Sequence, residues 1–191
     1  MIATRRFALA ALAVGLGQTA ILGYMVESRA SILRYGTEIL LQTALVDPRD
    51  LLRGDYVILS YDISTIPAAL VTGERPVGDE KMPLQVRLRP GPDGFWTVTE
   101  ASFQPLPAID ASVVMHTLPL RSFDVPSGTD GTVWVTYGIE SYYVPEGEGR
   151  PIEDGRNTGR VSVAVRVSES GQPQIRALML DGAPLYQEPL Y

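Results

Sequence analysis

Hydrophobic and polar residues alternate along most of the chain after residue 36, as is typical of β-strands that bury one face. The clearest run is Arg160–Val167, in which four valines alternate with smaller or polar residues. Turn residues (Gly, Pro, Asp and Ser) separate it from other alternating runs. The remaining predicted strands are Thr37–Val46, Gly54–Ile63, Leu84–Arg89, Phe95–Phe103, Ser112–Leu120, Gly131–Ile139, Gln174–Leu180 and Pro184–Tyr186. We therefore expect a mainly β domain of about eight strands, either an antiparallel sandwich or a partly open barrel.

The first 25 residues have a different pattern. Phe7 to Met25 is a 19-residue run that is apolar or small at nearly every position, close to the roughly 20 residues needed to cross a bilayer. Arg5 and Arg6 precede it, which favours a cytoplasmic N-terminus. A retained transmembrane helix and a cleaved signal peptide, with a site at Ser28-Arg29-Ala30, both fit this pattern. We expect residues 1–25 to be an anchor or signal segment, 26–36 a juxtamembrane stem, and 37–191 an extracytoplasmic β-rich domain.

Composition excludes several kinds of site. The net charge is −6 and lysine occurs once in 191 residues, which argues against a nucleic-acid-binding surface. There is no cysteine and there is one histidine, His116, so disulfides, thiol nucleophiles and zinc–thiolate sites are excluded. No calcium-loop motif is present either. We expect no metal and no cofactor, and a structural role for His116.

A first block of interest joins a charged turn at Asp47–Asp50 to a tight Gly54-Asp55 corner, and a strand follows. One face of that strand is apolar enough to be a core face, with Val57, Leu59, Tyr61 and Ile63. The corner then places Arg53, Asp55 and Tyr56 at the edge or solvent side of a sheet, where recognition groups often lie. The aspartates of this block suit either ligand binding or the capping of local turns.

A second block follows the predicted strand that ends at Ile139. It holds paired tyrosines and several acidic residues before a glycine-rich stretch: Glu140, Tyr142, Tyr143 and Glu146. Tyrosine offers a large contact area with a polar tip, as binding surfaces favour. The alternative is a solvated surface loop. We expect the two blocks to meet at one rim of the sheet and to form a shared recognition surface.

The octapeptide GDYVILSY, residues 54–61, matches the motif that names the GDYXXLXY proteins. VDPRDLLRGDY (46–56), YGIESYYVPEGEG (137–149) and RALMLDGAPLY (176–186) resemble further blocks of that family in the same order. The family consists of bacterial membrane-associated proteins. The resemblance implies one N-terminal membrane segment and an association with larger polytopic membrane proteins, and it implies no catalytic residue.

These features predict a binding or accessory module, anchored in the bacterial cytoplasmic membrane as a single-pass protein. The protein would contact the bilayer through residues 7–25, and its C-terminal domain would be extracytoplasmic. The expected partner is a polytopic membrane protein or an envelope component. An alternative is an envelope hydrolase that uses carboxylates of the two blocks. A third, more remote one is signal-peptidase-like proteolysis by serine and Lys81.

Overall fold

One long helix, α1 (Ile2–Tyr35), precedes the β-strands. The computed structural model describes residues 2–44, 56–75, 80–121, 124–126, 128–144 and 158–189, with Ile152 and Gly155. Within α1, the stretch Ala10–Tyr35 is long and apolar enough to cross a membrane. The predicted stem at 26–36 continues this helix as far as Tyr35.

The environment of α1 changes abruptly near residue 28. Every residue from Ala10 to Glu27 is exposed, whereas Ala30 and Leu33 are buried where α1 packs against two strands of the domain, Val161–Val167 and Pro173–Leu180. The apolar part of α1 therefore projects away from the β domain, whereas the last two turns of α1 pack against that domain.

Arg166 fixes the end of the helix. Its guanidinium donates hydrogen bonds to the carbonyl oxygens of Arg34 and Gly36, at 3.4 and 3.3 Å, and pairs with Glu38 at 2.9 Å. A cation at a helix C-terminus satisfies carbonyl groups that lack intrahelical partners and interacts favourably with the helix dipole. The chain then enters the first strand directly at Thr37.

The described part of the chain contains fourteen strands, more and shorter than predicted. They are β1 (Thr37–Gln42), β2 (Tyr56–Ile58), β3 (Thr65–Pro67), β4 (Val71–Thr72), β5 (Lys81–Met82), β6 (Gln85–Pro90), β7 (Trp96–Ser102), β8 (Val113–His116), β9 (Leu120–Arg121), β10 (Thr132–Trp134), β11 (Ser141–Tyr143), β12 (Val161–Val167), β13 (Pro173–Leu180) and β14 (Ala183–Gln187).

The strands form two four-stranded sheets, β1-β12-β13-β14 and β4-β7-β6-β8, and three two-stranded ladders, β3–β10, β2–β11 and β5–β9. All these pairings are antiparallel except β4 with β7. The described strands form no closed barrel. The predicted mainly β, antiparallel fold after one N-terminal apolar helix is confirmed.

Both sheets contribute to one core. Leu41 and Val163 of the first sheet and Val86 and Met115 of the second are fully buried in the same cluster. The Asp181-Gly182 turn that closes β13 onto β14 has φ angles of 51° and 78°. Two positive φ values in a two-residue loop are those of a type I′ hairpin turn.

Several predicted strands are only partly strand. Gly54–Ile63 is β-strand at Tyr56–Ile58 and becomes a 3-10 turn at Asp62–Ser64. Gly131–Ile139 is β-strand at Thr132–Trp134. Ser60, on the predicted outer face, is buried too, and Ile63 lies in the 3-10 turn. The predicted inward positions are nevertheless all buried. They are Val57, Leu59, Tyr61, Ile63, Val133, Val135, Tyr137 and Ile139.

Candidate functional site

The two sequence blocks are joined directly by the ladder between β2 and β11. Tyr56 lies opposite Tyr143, Val57 opposite Tyr142, and Ile58 opposite Ser141. Distant segments of the chain thus become neighbours, about 5 Å apart in the backbone. Both ends of the ladder lead into the segments that the sequence singled out.

The ladder has one buried and one exposed face. Val57 and Tyr142 point into the core, with 1% and 8% of their surface exposed. On the other face, Ile58 is 40% and Tyr143 77% exposed, and Ser141 is exposed as well.

Two buried tyrosines tie the blocks together beyond the ladder. The Tyr61 hydroxyl donates to the carbonyl oxygen of Ile139 at 2.6 Å, and the Tyr137 hydroxyl donates to that of Ile63 at 2.7 Å. Burial raises the pKa of both hydroxyls, and the charge of Glu140 raises each pKa further. These side chains are therefore neutral hydrogen-bond donors that hold the motif segment in place.

Tyr142 lies in the core as well. Its ring packs against that of Tyr186 on β14, with 6.3 Å between ring centroids. Burial raises its pKa, and so do the charge of Glu188 and a hydrogen bond to the Glu188 side chain. Of the two neighbouring tyrosines, Tyr143 alone presents its ring to solvent.

Glu140 stabilises a turn. Its carboxylate accepts hydrogen bonds from the backbone N–H groups of Tyr137, at 2.5 Å, and Gly138, at 2.8 Å, and its own carbonyl oxygen accepts from the N–H of Leu59. Gly138 has a φ of 82°, a conformation that favours glycine. Both carboxylate oxygens thus serve local structure.

Three other predicted site residues, Arg53, Asp55 and Glu146, lie outside the described residues. Tyr56 begins β2 and follows Asp55 directly in the sequence.

A cleft of about 250 Å³ lies beside β11 and reaches α1. Ser141, Tyr142 and Tyr143 line it on one side, and Arg29, Gln174 and Glu188 on the other. The last three were not predicted from the sequence. Arg29 alone carried a signal, as a charged residue soon after the apolar run, whereas Gln174 and Glu188 are ordinary surface residues in sequence terms.

A second cavity, of about 560 Å³, is lined by His116 and by residues of the 168–171 turn. Burial lowers the pKa of His116. Its ring packs so closely on Gly171 that an added Cβ there would lie 2.6 Å from it, and its backbone N–H donates to the Gly171 carbonyl at 2.8 Å. This close packing indicates a structural role for His116.

Other chemistry is sparse. The described residues contain no group of three His, Asp or Glu side chains that is placed to hold a metal ion. Lys81, considered above for serine–lysine chemistry, lies on β5 opposite Arg121.

Comparison with known proteins identifies a family. A family model described as GDYXXLXY protein matches residues 18–178, most of the chain. The matched region includes the second half of α1 and both strands of the β2–β11 ladder. Searches of curated proteins and of solved structures find no match.

Proposed function

We propose that this chain, which belongs to the GDYXXLXY protein family, is a single-pass membrane protein whose extracytoplasmic β domain recognises a polytopic partner in the bacterial cytoplasmic membrane. The stretch Ala10–Tyr35 supports the anchor by its length and hydropathy. The preceding Arg5 and Arg6 support a cytoplasmic N-terminus. The β domain then lies on the opposite side.

The exposure of α1 supports the same arrangement. Large apolar side chains between Phe7 and Val26 are mostly more than half exposed, and a continuous apolar surface of this kind requires a non-aqueous environment. The burial of Ala30 in an unbroken helix favours a retained anchor. Cleavage after Ala30 would cut the helix where it packs on the domain.

The observation that carries the partner proposal is the cleft that joins Tyr143 to Arg29. Arg29 lies four residues after Met25, the end of the apolar run, or about 6 Å along the helix. The exposed face of the ladder would therefore lie close to the membrane surface. A partner that reaches this position is best placed if it is itself embedded in the membrane.

The hydrogen bonding of Glu140 and the burial of Tyr142 support recognition over catalysis. The Glu140 carboxylate is occupied by two backbone N–H groups, and Tyr142 is buried. The exposed face of the ladder presents Ile58 and Tyr143, and tyrosine is among the residues enriched in protein–protein interfaces. A hydrolase that uses Glu140 would first have to break its turn.

Site-specific photocrosslinking tests the proposal. A photoreactive phenylalanine analogue replaces Tyr143 in the full-length protein, and native membranes are irradiated before purification. We expect one abundant adduct, which mass spectrometry identifies as a polytopic membrane protein. The matched control carries the analogue at Trp134, which is 62% exposed on the separate β3–β10 ladder.

Two further variants sharpen the result. Tyr143→Ala and Tyr56→Ala should abolish recovery of the same partner from detergent-solubilised membranes, whereas Trp134→Ala should not. Surface substitutions such as those at Tyr143 and Trp134 usually cost under about 0.5 kcal/mol, so we expect folding to be retained. Equal crosslinking from both positions, or adducts with soluble proteins alone, would contradict the proposal.

A further inference from the structure

Another cleft extends the cleft beside β11 along α1, toward the N-terminus of the helix. It has a volume of about 390 Å³ and shares Arg29, Gln174 and Glu188 with the cleft beside β11. Its other lining residues are apolar and belong to α1: Leu22, Met25, Val26, Ala30 and Leu33. Together the two clefts form an amphipathic groove. Its apolar part lies along α1, its polar middle consists of the three shared residues, and its other end is lined by the tyrosines of β11.

The apolar part of the groove extends along the anchor. Leu22 to Leu33 covers about 16 Å of helix, and the first residues of that stretch belong to the apolar run that we propose to cross the bilayer. The groove is therefore open to the hydrocarbon region, so an acyl chain can enter it sideways without passing through water.

The polar middle carries two opposite charges that are not paired with each other. The Arg29 guanidinium donates to the side-chain oxygen of Gln174 at 2.8 Å, its one hydrogen bond within the described ranges. A guanidinium has five N–H donors, so several remain for a ligand. Besides burial, the charge of the nearby Glu188 carboxylate helps to raise the pKa of Tyr142. Within the described part of the chain, no ion pair within 4.0 Å joins Arg29 and Glu188.

We infer that this groove binds one phospholipid with a zwitterionic, amine-bearing head group of the phosphatidylethanolamine class. The acyl chain lies along Leu22, Met25 and Val26. The phosphate accepts hydrogen bonds from Arg29, since guanidinium groups match phosphate oxygens in charge and geometry. The primary ammonium lies at Glu188. Separated charges of opposite sign in one groove complement a head group that carries both.

This inference rests on the proposed membrane anchoring and adds a ligand to the recognition site, because the head group would lie beside Tyr143. A partner that binds there would contact protein and lipid together.

Native mass spectrometry of the delipidated full-length protein in detergent tests the inference. Phosphatidylethanolamine, phosphatidylglycerol and phosphatidylcholine are added in turn at equal concentration. We expect one phosphatidylethanolamine to bind per chain, about tenfold more tightly than the other two, as expected when one hydrogen bond to a charged group is lost. Phosphatidylglycerol lacks the ammonium, and the quaternary nitrogen of phosphatidylcholine has no N–H to donate.

Two variants separate the charges. Arg29→Ala should reduce binding of phosphatidylethanolamine about tenfold, and Arg29→Lys should restore part of it. Glu188→Gln keeps the side-chain shape and should remove the preference for phosphatidylethanolamine over phosphatidylglycerol. Arg160→Ala, which removes an exposed arginine paired with Asp181, should change nothing. Circular dichroism confirms that each variant is folded.

Soluble glycerophosphoethanolamine tests whether the groove binds a whole lipid or the head group alone. It should not compete with phosphatidylethanolamine at matched concentration, because it lacks the acyl chains. Equal binding of the three lipids, or unchanged affinity for phosphatidylethanolamine in Arg29→Ala, would overturn the inference. A reporter assay of membrane topology separates the two proposals. If the helix does not cross the membrane, the proposed function fails, whereas a crossing helix without lipid preference disproves the lipid site alone.

Discussion

The hydroxyl of Tyr61 donates a 2.6 Å hydrogen bond to the backbone carbonyl of Ile139, 78 residues further along the chain. Tyr61 is the last residue of the GDYVILSY octapeptide, and Ile139 lies two residues before β11. This bond, its counterpart from Tyr137 to Ile63 and the β2–β11 ladder hold the two blocks in one arrangement. The motif therefore has a structural role that can be tested separately from recognition.

Removing either buried hydroxyl should destabilise the domain without changing its shape. Tyr61→Phe leaves the Ile139 carbonyl without this donor in a buried position, which we expect to cost about 1–3 kcal/mol of unfolding free energy. Tyr137→Phe should behave alike. Chemical denaturation of the full-length protein in mild detergent, followed by near-ultraviolet circular dichroism, measures the effect. Tyr143→Phe, at an exposed ring, is the control and should be neutral.

Because of Tyr61 and Tyr137, we expect the free energy of unfolding to decrease at alkaline pH. Their pKa values are raised in the folded state by burial, so above pH 10 the unfolded chain releases protons that the folded chain retains. The stability contribution is complete below about pH 10, the unfolded value, and declines above it by up to about 1.4 kcal/mol per pH unit for each tyrosine.

Denaturation curves recorded between about pH 9 and about pH 11 should show this slope, and Tyr61→Phe and Tyr137→Phe should each reduce it. An alkaline slope that is the same in the wild type and both variants would show that these hydroxyls titrate normally in the folded protein.

Leu59 is predicted to be a major contributor to the core. It is 1% exposed and lies in the motif segment, so Leu59→Ala should cost about 2–5 kcal/mol, the usual range for a buried leucine. Ile58→Ala, one residue earlier on the exposed face, should cost far less. Thermal unfolding of the two variants compares them directly, and similar losses would mean that the inner and outer faces of this segment are assigned wrongly.

The topology is predicted by the charges before the apolar run. Because Arg5 and Arg6 favour the cytoplasmic side, a C-terminal alkaline phosphatase fusion in bacteria should be active and a C-terminal green fluorescent protein fusion dark. A deletion variant that lacks residues 2–25 should reverse both results. Fluorescence from the intact fusion would place the β domain in the cytoplasm.

Sequence pattern predicted the architecture well because it depends on local alternation. The burial of Val57, Leu59 and Tyr61 follows from a period of two that continues past the end of the ladder at Ile58, although Ser60 between them is buried as well. The same rule failed at Arg87, which alternation assigns to the solvent side. It is 2% exposed, paired with Glu100 at 3.0 Å and hydrogen-bonded to the Pro107 carbonyl. The sequence of one strand does not reveal whether other parts of the chain also cover its second face.

The sequence by itself determined the mainly β class, the apolar helix, the family and the two blocks of interest, since each is a property of consecutive residues. Tertiary structure alone decided that Tyr142 is a core residue and that Tyr143 is the exposed one, because this depends on which face of β11 meets the core. It also brought Arg29, Gln174 and Glu188 together from α1, β13 and the end of the chain. Long-range packing sets such contacts, and no local period records which distant segments will share a surface.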